Sequence, residues 1–331
     1  MGIAATYDRE RLRRILRDQY DVVTRRQLLE CGMSPGAIQH RVRPEGHWLA
    51  ILPGVYIATG GRASAEQREM AAMLYAGSGA VMTGAFAARR HGLTASGPDY
   101  IDVLIPVRRR RQSVRFVRLI HTARMPEKVI RSGLIRVAAP ARAVADAVRG
   151  YRSIDDARSL ICGAIQRRKC SLADLAEELR AGPKHGSALL LRGLNDAAKG
   201  IWSAAEGQLM DLVRRSDLPE PEYNVALYAE DGALLGIVDA WWAQAGVAAE
   251  VDSREFHFSS DDWRATMERH NRLTKHGVQL LHFPPVQITS DGVAVLSDLR
   301  DAIAAGRMTP PPPVHAVPQE SQRVDYAIDT L

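Results

Sequence analysis

Cysteine is nearly absent, with three in 331 residues: Cys31, Cys162 and Cys170. They form no CxxC pair and cannot all be disulfide-bonded within one chain, so a reduced cytoplasm is the simplest expectation. No run of about 18 apolar residues exists to span a bilayer, and no membrane is expected among the partners. The amino terminus, MGIAATYDRERLRR, turns charged too early for a secretory signal. Lysine is scarce as well, only five among 44 basic residues. Arginine supplies the rest, and its planar fork suits phosphate better than an ammonium does.

What charge there is lies unevenly. Residues 1–150 carry 25 Lys and Arg against 12 Asp and Glu, whereas residues 201–331 carry 10 against 20. A basic front and an acidic back point to nucleic acid at one end and a metal or protein partner at the other. The length allows two or three domains with real cores.

The first sixty residues predict three helices and a hairpin. Arg9–Tyr20 places Leu12, Ile15 and Leu16 on one face, and Thr24 with Gln27 forms a capping box for a helix that stops at Gly32. Ser34-Pro35 opens a third helix, on which Ile38 and Val42 face inward. Gln39, His40 and Arg43 then face outward, where a recognition helix meets base edges. Trp48–Leu52 and Val55–Ala58 flank Pro53-Gly54, a pair suited to a type II turn, and make the wing.

This order, with the phrase ILPGVYIA, resembles the amino-terminal domain of the AbiEi family of antitoxins from type IV toxin–antitoxin systems. Residues 64–150 resemble the family's middle region, and IRVAAPARAVADAV its helix-opening Pro-x-Arg segment, with Pro140 and Arg142. Within that region a pair of helices, Ser64–Tyr75 and Thr83–His91, precedes strands Tyr100–Pro106 and Val114–His121. Between the strands stand Arg108, Arg109, Arg110 and Arg111, read as a hairpin loop that could clamp phosphates. Residues 153–199 read as a helical connector closing the middle domain.

Further along, Gly236–Trp242 and Val247–Asp252 flank Ala243–Gly246, the form of a hairpin with a four-residue loop. Symmetric closure sets Asp239 opposite Glu250 with Asp252 on the same face, and three carboxylates there call for water or a cation. An all-oxygen cluster suits Mg²⁺ or Mn²⁺.

Asp239, Glu250-x-Asp252 and His257 resemble the core of the PD-(D/E)XK nuclease superfamily, in particular its very-short-patch-repair-like branch. Asp252 stands where the larger superfamily has lysine. SAAEGQLMDLVRR looks like the branch's first helix, carrying Glu206, and SDDWRATMERHNRLTKHGVQLLHF like its arginine-bearing helix and closing strand. The resemblance implies Glu206, Asp239, Glu250 and Asp252 as metal ligands, with Asp239, Glu250, Asp252 and His257 catalytic. Arg264, Arg269 and Arg272 would line the phosphate side. From Met308, four consecutive prolines mark residues 306–331 as a disordered tail.

The expected architecture is therefore α+β and multidomain. A winged helix-turn-helix (1–60) precedes an α/β middle domain (61–199), then a restriction-endonuclease-like mixed sheet flanked by helices (200–305) and the tail. The expected function is that of a bacterial, double-stranded-DNA-binding repressor of antitoxin type. The alternatives are a Mg²⁺-dependent endonuclease targeted by its front half, and an antitoxin that binds a nucleotidyltransferase-like toxin.

Overall fold

The computed structural model describes residues 7–43, 45–97, 99–251 and 260–319. Its helices and sheets are of the α+β kind and fall into two units, Met1–Gly150 and Tyr151–Leu331.

The first unit begins with α1 (Arg9–Arg17), β1 (Val22–Thr24), α2 (Arg25–Glu30), α3 (Pro35–Val42), β2 (Leu49–Leu52) and β3 (Val55–Ile57). The caps do what their chemistry dictates. Asp8 accepts from the Arg11 N–H, and Thr24 and Gln27 bond reciprocally at the head of α2. Ser34 accepts from the Ala37 N–H with Pro35 in the first turn of α3. The three strands pair antiparallel in the order β1-β3-β2, with Gly54 at φ 72° in the β2–β3 turn. Leu12, Val23, Leu28, Met33 and Ile38 form a small core under the helices.

Next come α4 (Ala65–Ala76), β4 (Val81–Thr83), α5 (Gly84–Arg90), β5 (Ile101–Pro106), β6 (Val117–Thr122), β7 (Val129–Ser132), β8 (Ile135–Ala138) and α6 (Pro140–Arg149). Their sheet runs β6-β5-β4-β8-β7. The strands β5 and β6 are parallel, so residues 107–116 form a return connection and not the hairpin loop expected from the sequence. Val22, Ile51, Val55 and Ile57 share one core with Met70, Met82, Ile101 and Val137, so apolar packing runs without a break past residue 60. Arg142 is buried: it donates to Asp146 (2.7 Å) and to the Arg124 carbonyl (3.2 Å), while Thr83 donates to the same Asp146 oxygen (2.7 Å).

The second unit starts with α7 (Ile154–Gln166), α8 (Leu172–Ala181), α9 (Ala188–Ala198) and α10 (Ala204–Arg214). Buried Arg158 on α7 ties three of these together. It donates to Asp196 on α9 (2.8 and 2.9 Å) and to Asp211 on α10 (2.8 Å). Gly207 is obligatory on α10, because a Cβ there would lie 2.5 Å from the Arg158 Nε. The helices expected to close the middle domain thus belong to the second unit.

The chain continues through β9 (Glu222–Ala229), β10 (Leu234–Trp242), β11 (Val247–Val251), α11 (Ser260–Lys275), β12 (Gln279–Phe283), α12 (Pro285–Ser290), α13 (Gly292–Gly306) and β13 (Val314–Pro318). The sheet order is β12-β11-β10-β9-β13, with β11 and β12 parallel and the other pairs antiparallel. Trp242 packs into the apolar layer on one face with Leu209 and Leu299, and Trp241 into the layer on the other with Val225 and Leu273. Residues 314–318 correct the expected tail: they form the edge strand β13 on β9. Proline is tolerated at a sheet edge, and Pro312 anchors the segment against Gly246, where a Cβ would come within 2.5 Å of the proline ring.

No helix among the described residues is long and apolar enough to cross a membrane. The three cysteines are free thiols.

Candidate functional site

On α3, Ile38 is buried while Gln39 and His40 are exposed, as the periodicity requires; Arg43, also exposed, is the extended residue that caps the helix end. Nη2 of Arg43 lies 2.9 Å from Nε2 of His40, and its Nε is 3.6 Å from Glu45. Neighbouring Arg41 has a different role. Its guanidinium lies over the rings of Tyr7 (5.4 Å) and Trp48 (5.8 Å) and donates to the Ala37 carbonyl (3.1 Å), bracing the helix from beneath.

The four consecutive arginines separate into two pairs. Arg109 donates to the carbonyls of Ala76 (2.6 Å) and Ser78 (2.7 Å), and Arg111 donates to the Tyr75 carbonyl while lying 4.6 Å above the Tyr75 ring. These carbonyls are at or just past the end of α4, where a helix runs out of its own donors. Arg109 and Arg111 are therefore braces of that helix end. Arg108 and Arg110 are exposed and have no side-chain partner among the described residues.

In the second unit the loop closes as the spacing predicts. Residues 243–245 make a single 3₁₀ turn, Gly246 takes the left-handed conformation (φ 65°), and Ala240 pairs with Ala249. That register places Asp239 across from Glu250. Asp239 accepts from the Val251 N–H (2.7 Å), and Glu206, the N3 residue of α10, accepts from the Trp202 N–H (2.8 Å). Glu250, only 5% exposed, is gripped by Arg269 of α11 through two parallel bonds of 2.6 and 2.7 Å. A bidentate fork of this kind is the strong form of the pair.

Burial pushes the Asp239 carboxyl up to about 7, with the charges of Glu206 and Glu250 adding to the rise. It is thus protonated in the folded state where the unfolded chain, at 3.8, is ionised. Stability from this group is full below about pH 4 and falls by about 1.4 kcal/mol per pH unit as pH rises towards 7. Urea midpoints of the full chain in metal-free buffer at pH 5 to 8 are expected to fall with pH relative to those of Asp239→Asn. Parallel curves for the two proteins would mean that Asp239 is ionised throughout.

The remaining expected site residues are dispersed. Arg264 is exposed, and Arg272 donates to the Leu235 carbonyl (3.3 Å). Asp252 and His257 lie outside the described residues. Among those described, no group of three or more His, Cys, Asp and Glu has the geometry to hold a metal ion. As arranged, Glu206 and Asp239 each accept a main-chain N–H, and Glu250 is held by a guanidinium. Sequence reasoning passed over His282, whose Nδ1 is 3.7 Å from Glu250 and whose ring lies 5.5 Å from that of His270. Its position on β12, parallel to β11, depends on a strand pairing that no local spacing announces.

The fold and its two sites define an α+β chain with a basic three-helix head and a buried carboxylate–guanidinium cluster. Comparison with family models and with curated proteins finds no match. Among solved structures, the crystal structure of the RV2827C protein from Mycobacterium tuberculosis aligns with a TM-score of 0.39 and 17% identity, covering 66% of this chain and 86% of that one. So slight a likeness carries no argument about fold or function.

Proposed function

We propose that this chain is a sequence-specific duplex-DNA-binding protein, a repressor of antitoxin type whose first unit reads the major groove through α3. The observation that carries the reading is the order helix, strand, helix, helix, hairpin with sheet order β1-β3-β2, which leaves Gln39, His40 and Arg43 exposed. That order supports the reading, because a winged helix-turn-helix needs its last helix free to enter the groove and a hairpin beside it. The excess of arginine in residues 1–150 supplies the sequence-independent attraction. The resemblance to type IV antitoxins adds the expectation that the operator lies near the protein's own gene and that a nucleotidyltransferase-like toxin is a partner.

Duplexes selected from a random pool by the full chain should share a motif. Gln39→Ala or Arg43→Ala is expected to relax preference at one or two positions of it by about 1–3 kcal/mol, read as the affinity ratio between the motif and single-base changes. Equal competition by preferred and scrambled duplexes would count against base reading by α3.

One observation favours a second reading. Asp239 lies opposite Glu250, with Glu206 close enough to act on its charge, and paired carboxylates of this kind support a metal-dependent nuclease, for which Mg²⁺ or Mn²⁺ would be the ion. Because Arg269 engages both Glu250 oxygens, the full chain is expected to leave supercoiled plasmid intact with either ion. Nicking that Asp239→Asn abolishes would establish the endonuclease instead.

A further inference from the structure

A cleft of about 580 Å³ in the first unit is lined by five arginines and no carboxylate. One wall is the β2–β3 turn with the first residues of α2, including Arg25 and Arg26; the other is the end of α4 with Arg109, Arg110 and Arg111. The cluster is built rather than incidental. Arg109 and Arg111 are locked onto main-chain carbonyls, which fixes two positive charges beside the opening. Arg25 and Arg110 are exposed and have no side-chain partner among the described residues, so their full sets of donors remain available. The mouth is open at Gly54, where a Cβ would meet nothing within 4 Å.

Arg26 is paired with Glu30 (3.5 Å), but the other four guanidinium groups have no carboxylate beside them among the described residues, repel one another, and are relieved when an anion enters. The planar forks of Arg25 and Arg110 match the oxygen pairs of a phosphate. The position of the cleft indicates which phosphate. Its wall includes the start of α2, and that helix of six residues, about 9 Å long, leads directly to the turn before α3. The cleft and α3 are therefore separated along the chain by one short helix and its turn.

We infer that this cleft seats backbone phosphates of the DNA that α3 reads, with Arg25 and Arg110 as the contacting groups and Arg109 and Arg111 as positioning residues. The inference rests on the DNA-binding reading above and adds to it a site that is blind to sequence.

The test compares the salt dependence of duplex binding by the full chain, Arg25→Ala/Arg110→Ala, and a control with the same change of charge, Arg131→Ala/Arg136→Ala, on the far strands β7 and β8. The slope of log affinity against log salt is expected to lessen by about 1.8 for the first double variant, about 0.9 per lost phosphate contact. Preferred and scrambled duplexes should weaken alike, and the control should keep the wild-type slope. Both variants change exposed side chains, and an unchanged melting temperature verifies folding. A wild-type slope in Arg25→Ala/Arg110→Ala, or an equal loss in the control, overturns the clamp and leaves DNA binding by α3 standing. A wild-type chain that binds no duplex overturns both.

Discussion

Replacing Arg158 with leucine is expected to destabilise the second unit by about 3–5 kcal/mol, the cost of leaving buried carboxylates without their cation. Arg158 is fully buried, and four hydrogen bonds from its one guanidinium reach Asp155, Asp196 and Asp211. Leucine fills some of the volume but leaves Asp196, 4% exposed, with a charge it can neither pair nor hydrate. Gly207→Ala probes the same place from the other side. The new methyl carbon would stand 2.5 Å from Nε and 2.6 Å from Cζ of Arg158, so the guanidinium has to leave its carboxylates or α10 has to shift. Denaturant unfolding of the full chain, followed by the fluorescence of its five tryptophans, four of them in the second unit, reads both variants. The result that would refute this account is a melting transition for Gly207→Ala within a few tenths of a kcal/mol of wild type. Asp211 adds a pH signature: burial raises its carboxyl, but Arg158 and Arg192 together lower it further, to a net value below the ordinary one. Its contribution is therefore present above the usual aspartate range and fades as acid protonates it in the fold.

The second large effect is expected at Arg269. Arg269→Ala removes the cation from Glu250, 5% exposed and opposite a carboxyl already pushed up to about 7. A loss of about 3 kcal/mol at pH 8 follows from breaking a buried pair on one side. Two further measurements say why. Glu250→Gln combined with Arg269→Leu should recover most of the loss, because no uncompensated charge remains. Mn²⁺ should raise the melting temperature of Arg269→Ala through binding to the folded state, and leave wild type unmoved. Equal stabilisation of wild type and variant by Mn²⁺ would mean that the guanidinium does not stand in for an ion, and would revive the nuclease reading.

The site was partly legible because some of its signals are short in range. The four residues Ala243–Gly246 sufficed to set Asp239 across from Glu250, since hairpin register follows from loop length. The outward positions of Gln39 and His40 followed from helical period once Ser34-Pro35 had marked the start of α3, whereas Arg43 is exposed in the extended residue just past its end. The arginines were not legible in the same way. Arg108 to Arg111 look alike in a string, yet 109 and 111 brace the end of α4 while 108 and 110 face solvent, because β5 and β6 run parallel and their connection passes beneath that helix end. Arg25, more than eighty residues from any of these, joined them only through the β2–β3 turn.

By itself the sequence determined where helices begin, which faces they bury, and which carboxylates meet across one hairpin, since capping bonds, side-chain period and tight turns are energetics of neighbouring residues. Only the tertiary structure decided which cation meets Glu250, which helices Arg158 joins, and that a proline-rich segment closes a sheet as β13. With 39 arginines in one chain, many pairings are chemically equivalent. Packing of distant elements selects among them, because a buried charge is tolerated only where the fold delivers its partner within hydrogen-bond reach.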